Sequence, residues 1–539
     1  MVRFLIVPIN KMMKNFPYIK FIFTLLLFFC FLQFMINYSN INARKEINKL
    51  KQSKNGLINE NFFIIDSNNL EIIKSHMFGF SISKEGILTN NYYKLKGNYE
   101  VPEPQGVYIM IRKKENKIII NQDFHGNFGL YIYQNKDKHS FVLSNSFLLL
   151  VQYLIGKQNI SINIDFVNNF IVSGLCTPSI FETMIKEIIK VPSNKILIID
   201  IQKKRFWTEQ INYEESTIPF ESKESLEIID EWVDKWGYII RSLIKKTKNI
   251  SSDLTGGFDT RVILSIFLKS GIDLNKILIN TATDKKFCHK EDLEIARHIA
   301  NKFGFKLNNF ILDNNGIEWG LKDIFSCTFY SKLGFHNQFY YQNKFFEKPR
   351  FKFHGGGEIR GPGMPIKKYI ERLSSKGKAL GNKFYFSSKK LCERSVTMIK
   401  KEKKYSNDYE ISYLFYQKGR SANHDGKMVL EGFLSNTYVI QPLIDSVFRK
   451  IKFNDNKNSM NDLIAYIYIR FAHDLINFPF QGKRILKNES IIKAEKLNLM
   501  RKPYIIKYDY NDKFLIDFKR KSPIPKSKEI KILMMLIYI

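Results

Sequence analysis

At about residue 213 the apolar pattern of this chain changes its period, and that change restricts the fold more than any other feature of the sequence. From residue 79 to 200 the apolar residues fall in short runs of strand length, at 107–111, 117–121, 130–133, 141–143 and 195–201. Glycine, Asn-Lys and Pro-Ser pairs separate the runs. This predicts a β-rich first domain with antiparallel hairpins. Beyond residue 213, longer helical patterns at 225–245, 260–269 and 293–303 alternate with short strands such as 278–281. Such alternation predicts an α/β unit whose sheet is mostly parallel.

The 539 residues are too many for one core, and at roughly 150 residues per domain they suggest two or three units. We place an apolar N-terminal segment at 1–43, a charged, Asn-rich linker at 44–60 and the first domain at 61–213. The second domain spans 214–480 and a C-terminal extension 481–539. Past residue 454 helical stretches continue, but no clear core is legible. The run at 21–36 is close to the length of about 20 residues that spans a bilayer. It reads either as a membrane anchor or as a stretch upstream of the folded protein. Lysines and arginines lie on both sides, so the charge rule for orientation is uninformative.

A net charge of +32 raises the question of nucleic acid. The basic residues are spread along the chain, beside an excess of Asn, Ile, Phe and Tyr of the kind an AT-rich genome produces. Nucleic acid is therefore not the expected partner. Cys30, Cys176, Cys288, Cys327 and Cys392 are odd in number and far apart, which excludes a disulfide framework or a zinc knuckle.

The stretch Leu254-Thr255-Gly256-Gly257-Phe258-Asp259-Thr260 carries the clearest chemistry. It follows a short strand and opens a helix with Ile263, Ile266 and Phe267 on one face. A helix N-terminus entered through two glycines is an anion site, because its N–H groups point outward and no Cβ blocks a phosphate. Thr255 and Thr260 supply hydroxyls, and Asp259 is suited to a magnesium ion bridging phosphates. A plain strand-to-helix turn, with Asp259 as a cap, is the alternative reading. No G-x-x-x-x-G-K-[ST] segment competes for the nucleotide.

This stretch resembles the S-G-G-x-D-S loop of the ATP-pyrophosphatase enzymes, in their asparagine synthetase branch, with both serines replaced by threonine. Three downstream segments are similar to that family's. Asp292-Leu293-Glu294-Ile295-Ala296 opens one, with Asp292 a helix cap or a ligand. His354-Gly355-Gly356-Gly357-Glu358-Ile359-Arg360-Gly361 resembles the second glycine-rich segment, with one acid where the family has two. Gln441-Pro442-Leu443-Ile444-Asp445 resembles the family's P-(F/L)-L-D, with Asp445 structural.

The resemblance implies an N-terminal β-sandwich of glutaminase-like type followed by an α/β ATP-pyrophosphatase domain. It also implies ATP and Mg2+ as cofactors. Asp259, Glu358 and Arg360 are the implied catalytic residues, and Asp259 and Glu358 the implied metal ligands. Leu254, Thr255, Gly256, Gly257, Phe258, Asp259, Thr260, Asn280, Gly356 and Gly357 are the implied nucleotide-binding residues. The expected reaction is adenylation of a carboxylate, from a small molecule or a peptide, followed by attack of ammonia or an amine. Glutaminases of this type need a cysteine exposed as the first residue. The chain begins Met1-Val2-Arg3, so glutamine hydrolysis is not expected. A transition-state lysine is implied without a clear match among Lys450, Lys483 and Lys502. An inactive scaffold or binding module at a membrane is the rival expectation. Because ATP is a cytosolic substrate, the expected location is the cytoplasm, with any anchor on the inner face of a membrane.

Overall fold

The computed structural model describes residues 62–517, apart from 136–139, 174–176, 212–217, 285–289, 313–345, 347, 357–361, 403–406, 435, 453–458, 483 and 506–512. Its first part holds two sheets. The larger has seven strands in the order Arg205–Gln210, Lys195–Asp200, Lys117–Gln122, Gly106–Lys114, His76–Ser83, Gly86–Thr89 and Leu515–Ile516, antiparallel except at the last pair. The smaller runs Ile64–Asp66, Phe141–Ser144, Tyr131–Gln134, Ile188–Lys190 and is antiparallel throughout. Within Lys117–Gln122, Ile118 and Ile120 are buried while Ile119 between them is half-buried, the period of two expected of a strand with one face on a core. Rings from the two sheets meet in that core, Phe63 on Phe78 at 4.9 Å and Phe141 on Phe206 at 5.2 Å.

The second part is built on a parallel five-stranded sheet in the order Leu307–Leu312, Leu278–Asp284, Ile250–Asp253, Arg350–Phe353, Thr437–Ile440. Successive strands step outward on one side of Ile250–Asp253, and the fourth then returns to its other side. The C-terminal ends of Ile250–Asp253 and Arg350–Phe353 therefore frame a topological switch point, where a crevice opens in sheets of this kind.

The sequence reading underestimates the C-terminal region. Helix Ser459–Phe471 is one of the most buried elements, with Leu463, Ile464, Ala465, Tyr466, Ile467 and Tyr468 all nearly inaccessible. It packs between helix Phe258–Lys269 and helix Asn488–Leu499. A helix apolar on every side gives no amphipathic period, so the sequence offers no core face to read. Described residues past 480 also join the fold: Leu486, Ala494, Leu497 and Phe514 are buried in its core. Leu515–Ile516 completes the edge of the seven-stranded sheet, and the Asp517 carboxylate accepts the Thr89 hydroxyl at 2.7 Å and the Tyr92 N–H at 2.9 Å.

Asp445 is a junction between the two parts. Its buried carboxylate accepts the Gln105 amide and the Trp236 indole N–H, each at 3.0 Å, and pairs with Lys235 at 3.2 Å. Among the described residues no helix is long and apolar enough to cross a membrane, and residues 21–36 lie outside them.

Candidate functional site

The two glycine-rich segments follow the two strands that flank the switch point. Leu254 to Gly257 leaves Ile250–Asp253 and enters helix Phe258–Lys269, while His354, Gly355 and Gly356 leave Arg350–Phe353. The pairing of Ser252 with Phe353 puts the two departures side by side. A Cβ built on Gly355 would lie 2.8 Å from the Asp259 carbonyl carbon and the Thr260 nitrogen. Only glycine allows the second segment to approach the helix start so closely.

Contacts within the loop decide where an anion would sit. The Thr255 N–H donates to Thr260 Oγ1 at 3.1 Å and the Gly257 N–H to Thr255 Oγ1 at 3.1 Å. The two hydroxyls are 3.2 Å apart. The Gly256 N–H donates to Asp292 Oδ1 at 2.6 Å. Asp292, in the first turn of the next helix, Lys290–Phe303, thus braces the loop. With these amides engaged inside the protein, the part of the segment left as a candidate for an anion is the start of helix Phe258–Lys269, whose N-cap is Gly257.

Leu254 and Phe258, placed with the nucleotide on sequence grounds, turn their side chains into the core, which leaves only their backbone to face the loop. The Leu254 N–H donates to the Asn280 carbonyl at 2.8 Å, and the Phe258 ring stacks on Phe480 at 3.8 Å. The Asn280 side chain accepts from Asn308 on the neighbouring strand at 2.7 Å, so its contribution to the loop is through the backbone. Gly356 is buried at the root of its segment. Gly357, Glu358 and Arg360, together with Lys483, lie outside the described residues. Among the described residues no three His, Cys, Asp or Glu side chains gather for a metal. Magnesium held largely by phosphates and one or two carboxylates does not need such a group.

Two features of the site escape a linear reading. The first is a strap, residues 478–482, laid over the loop. The Gln481 N–H donates to the Gly256 carbonyl at 2.9 Å, and the Gly482 N–H to the Glu291 carboxylate at 2.9 Å. Arg261, fully buried, donates to the carbonyls of Phe478 (2.9 Å) and Pro479, with its guanidinium 4.1 Å from the Phe480 ring centroid.

The second feature is a polar cluster at the strand ends. Asp253 Oδ2 lies 2.8 Å from Lys352 Nζ and 3.3 Å from His354 Nδ1. The spacing of Lys352 and His354, two apart at the end of one strand, is the only sequence signal for it. Burial pushes the Asp253 carboxyl up, but the His354 hydrogen bond and the Lys352 charge outweigh that and hold it below its ordinary value of 3.8. A carboxyl with a folded pKa below its unfolded one stabilises above the unfolded value, and that stability is lost as pH falls through the folded value. Wild type is therefore expected to exceed Asp253→Asn in urea stability near neutrality, with the gap closing on acidification from about pH 4 downward. A gap that persists unchanged into acid would show that the cluster's charge contributes nothing. Compared with protein-family models and with curated proteins, the chain matches none.

Proposed function

We propose that the chain is an ATP-dependent carbon–nitrogen ligase of the asparagine synthetase type, which adenylates a carboxylate and transfers ammonia or an amine to it. The observation that carries this reading is the convergence of both glycine-rich segments on the switch point of the parallel sheet, where such folds bind their ligands. On the same reading the first part, with its two largely antiparallel sheets, is the glutaminase-like domain, and the part built on the parallel sheet is the ATP-pyrophosphatase domain.

The residues present suit a nucleotide. The start of helix Phe258–Lys269 offers backbone N–H groups to a phosphate, and the glycine cradle leaves room for it. Asp259 and Glu358 would hold magnesium, which when bound neutralises charge on the phosphate oxygens. The strap at 478–482 holds the loop from one side through the Gln481 N–H and the carbonyls that Arg261 grips. The chemical logic is that a carboxylate oxygen is a poor leaving group and AMP a good one, so adenylation prepares the carbon for a nitrogen nucleophile.

ATP–pyrophosphate exchange by the full-length chain, with magnesium and a pool of carboxylates that includes aspartate, tests the reading. Exchange that depends on a carboxylate and falls on the order of a hundredfold in Asp259→Ala is expected. Failure of the wild-type chain to bind MgATP would refute the ligase and favour a binding module.

A further inference from the structure

We infer that His354, oriented by Asp253, takes the proton from the attacking amine in the amide-forming step. This assignment rests on the ligase reading above. Its grounds are the position and the hydrogen bonding of the pair. Asp253 is the last residue before the Leu254–Gly257 turn, and His354 the last before Gly355, so the pair stands at the root of both segments. Gly355 in turn touches the backbone where the loop helix starts. The His354 N–H donates to the Ile440 carbonyl at 2.9 Å, which fixes the backbone of the residue.

The side chain is fixed through one ring nitrogen. Nδ1 faces the Asp253 carboxylate at 3.3 Å, so this edge of the ring carries the hydrogen and the opposite nitrogen, Nε2, keeps a lone pair. Lys352 pairs with the same carboxylate oxygen at 2.8 Å, so the Asp253 carboxylate that orients the ring is itself held in place from a second side. On the helix Ala422–Leu434, His424 lies within electrostatic range. Burial is the main cause of its lowered proton affinity, which Asp425 opposes and Arg420, Lys427 and His354 reinforce.

In the step, the amine nitrogen forms a bond to the acyl carbon of the adenylate. The bond from that carbon to the phosphate oxygen breaks, and its electron pair leaves with AMP. The proton released by the nitrogen goes to His354 Nε2.

A measurement without any carboxylate tests this. Diethyl pyrocarbonate acylates the unprotonated nitrogen of an accessible imidazole, and peptide mass spectrometry reads His354 separately from the other histidines. The full-length chain is treated with and without MgATP, with nucleotide binding followed by calorimetry in the same samples. His354 is expected to react in the free protein and to lose its reactivity when MgATP is bound. Asp253→Asn is expected to react about tenfold more slowly, because the partner that sets the ring's tautomer and basicity is weakened. An unreactive His354, or a reactivity unchanged by MgATP that calorimetry shows to be bound, overturns the assignment and leaves the ligase reading standing. Absence of MgATP binding fails the ligase reading itself. Should Asp253→Asn not fold, protection in the wild-type chain still decides.

Discussion

Arg261→Ala is expected to lower the stability of the chain by about 4 kcal/mol and to weaken MgATP binding with it. Arg261 leaves helix Phe258–Lys269 into a fully buried space, where its guanidinium grips two successive carbonyls, of Phe478 and Pro479, and covers the Phe480 ring. Burial lowers its pKa to about 10, with Tyr468 and the Asp292 carboxylate opposing, so it remains a cation at neutral pH. Each charge-assisted hydrogen bond of this kind contributes about 1.5–3 kcal/mol, and the ring contact adds about 1 kcal/mol. Truncation to alanine also removes the packed stem and leaves two carbonyls facing a void. Arg261→Met separates these effects. It keeps the stem but no donor, and its loss is expected to fall between wild type and alanine. Arg261→Lys keeps the charge without the planar fork, so it cannot reach both carbonyls as arginine does. Urea unfolding midpoints with calorimetry of MgATP give the comparison. An alanine variant within about 1 kcal/mol of wild type would mean that the strap is held mainly by its Gln481 and Gly482 backbone bonds.

The strap also shows where the sequence stops being informative. Its contacts join backbone carbonyls and N–H groups of residues 478–482 to a loop more than two hundred positions earlier, and backbone groups leave no trace in residue types. Arg261 by itself reads as a solvated residue on a helix. The strands around it are legible because their apolar runs have the right length, and the expected 225–245 helix appears as Lys223–Lys246. The turn at 254–257 is legible because two glycines stand directly before an apolar helix, and at Gly256 a Cβ would lie 2.8 Å from Asp292 Oδ1. The Asp253–His354 pair required the sheet order, since only the return of Arg350–Phe353 to the side of Ile250–Asp253 brings the two residues together. Asp292 shows the same limit. Its acidity suggested a cap or a ligand, and the fold uses it to hold the Gly256 N–H.

Two glycine substitutions are expected to divide the architecture of the site from its binding function. At Gly355 a new Cβ would meet backbone atoms, the Asp259 carbonyl carbon and the Thr260 nitrogen at 2.8 Å, and backbone in a helix start cannot rotate away. Gly355→Ala should therefore cost about 1–3 kcal/mol through overpacking and displace the very N–H groups that would face a phosphate. Gly257 is different. Its backbone angles, φ −81° and ψ 164°, suit any residue, and among the described residues a Cβ there meets only Thr255 Oγ1 within 4 Å, at 3.2 Å. Gly257→Ala is expected to change stability by less than about 1 kcal/mol, the ordinary range for an N-cap substitution. A methyl group at Gly257 would, however, stand at the helix start, where it obstructs a phosphate approaching the N–H groups. A tenfold or greater loss of MgATP affinity, about 1.4 kcal/mol, is expected at Gly257 with the fold intact, whereas Gly355→Ala loses stability and affinity together. If Gly257→Ala binds MgATP as wild type does, the nucleotide does not sit at this helix start. The glycines would then serve only the close packing of strand, loop and strap, and the convergence at the switch point would be architecture without a ligand.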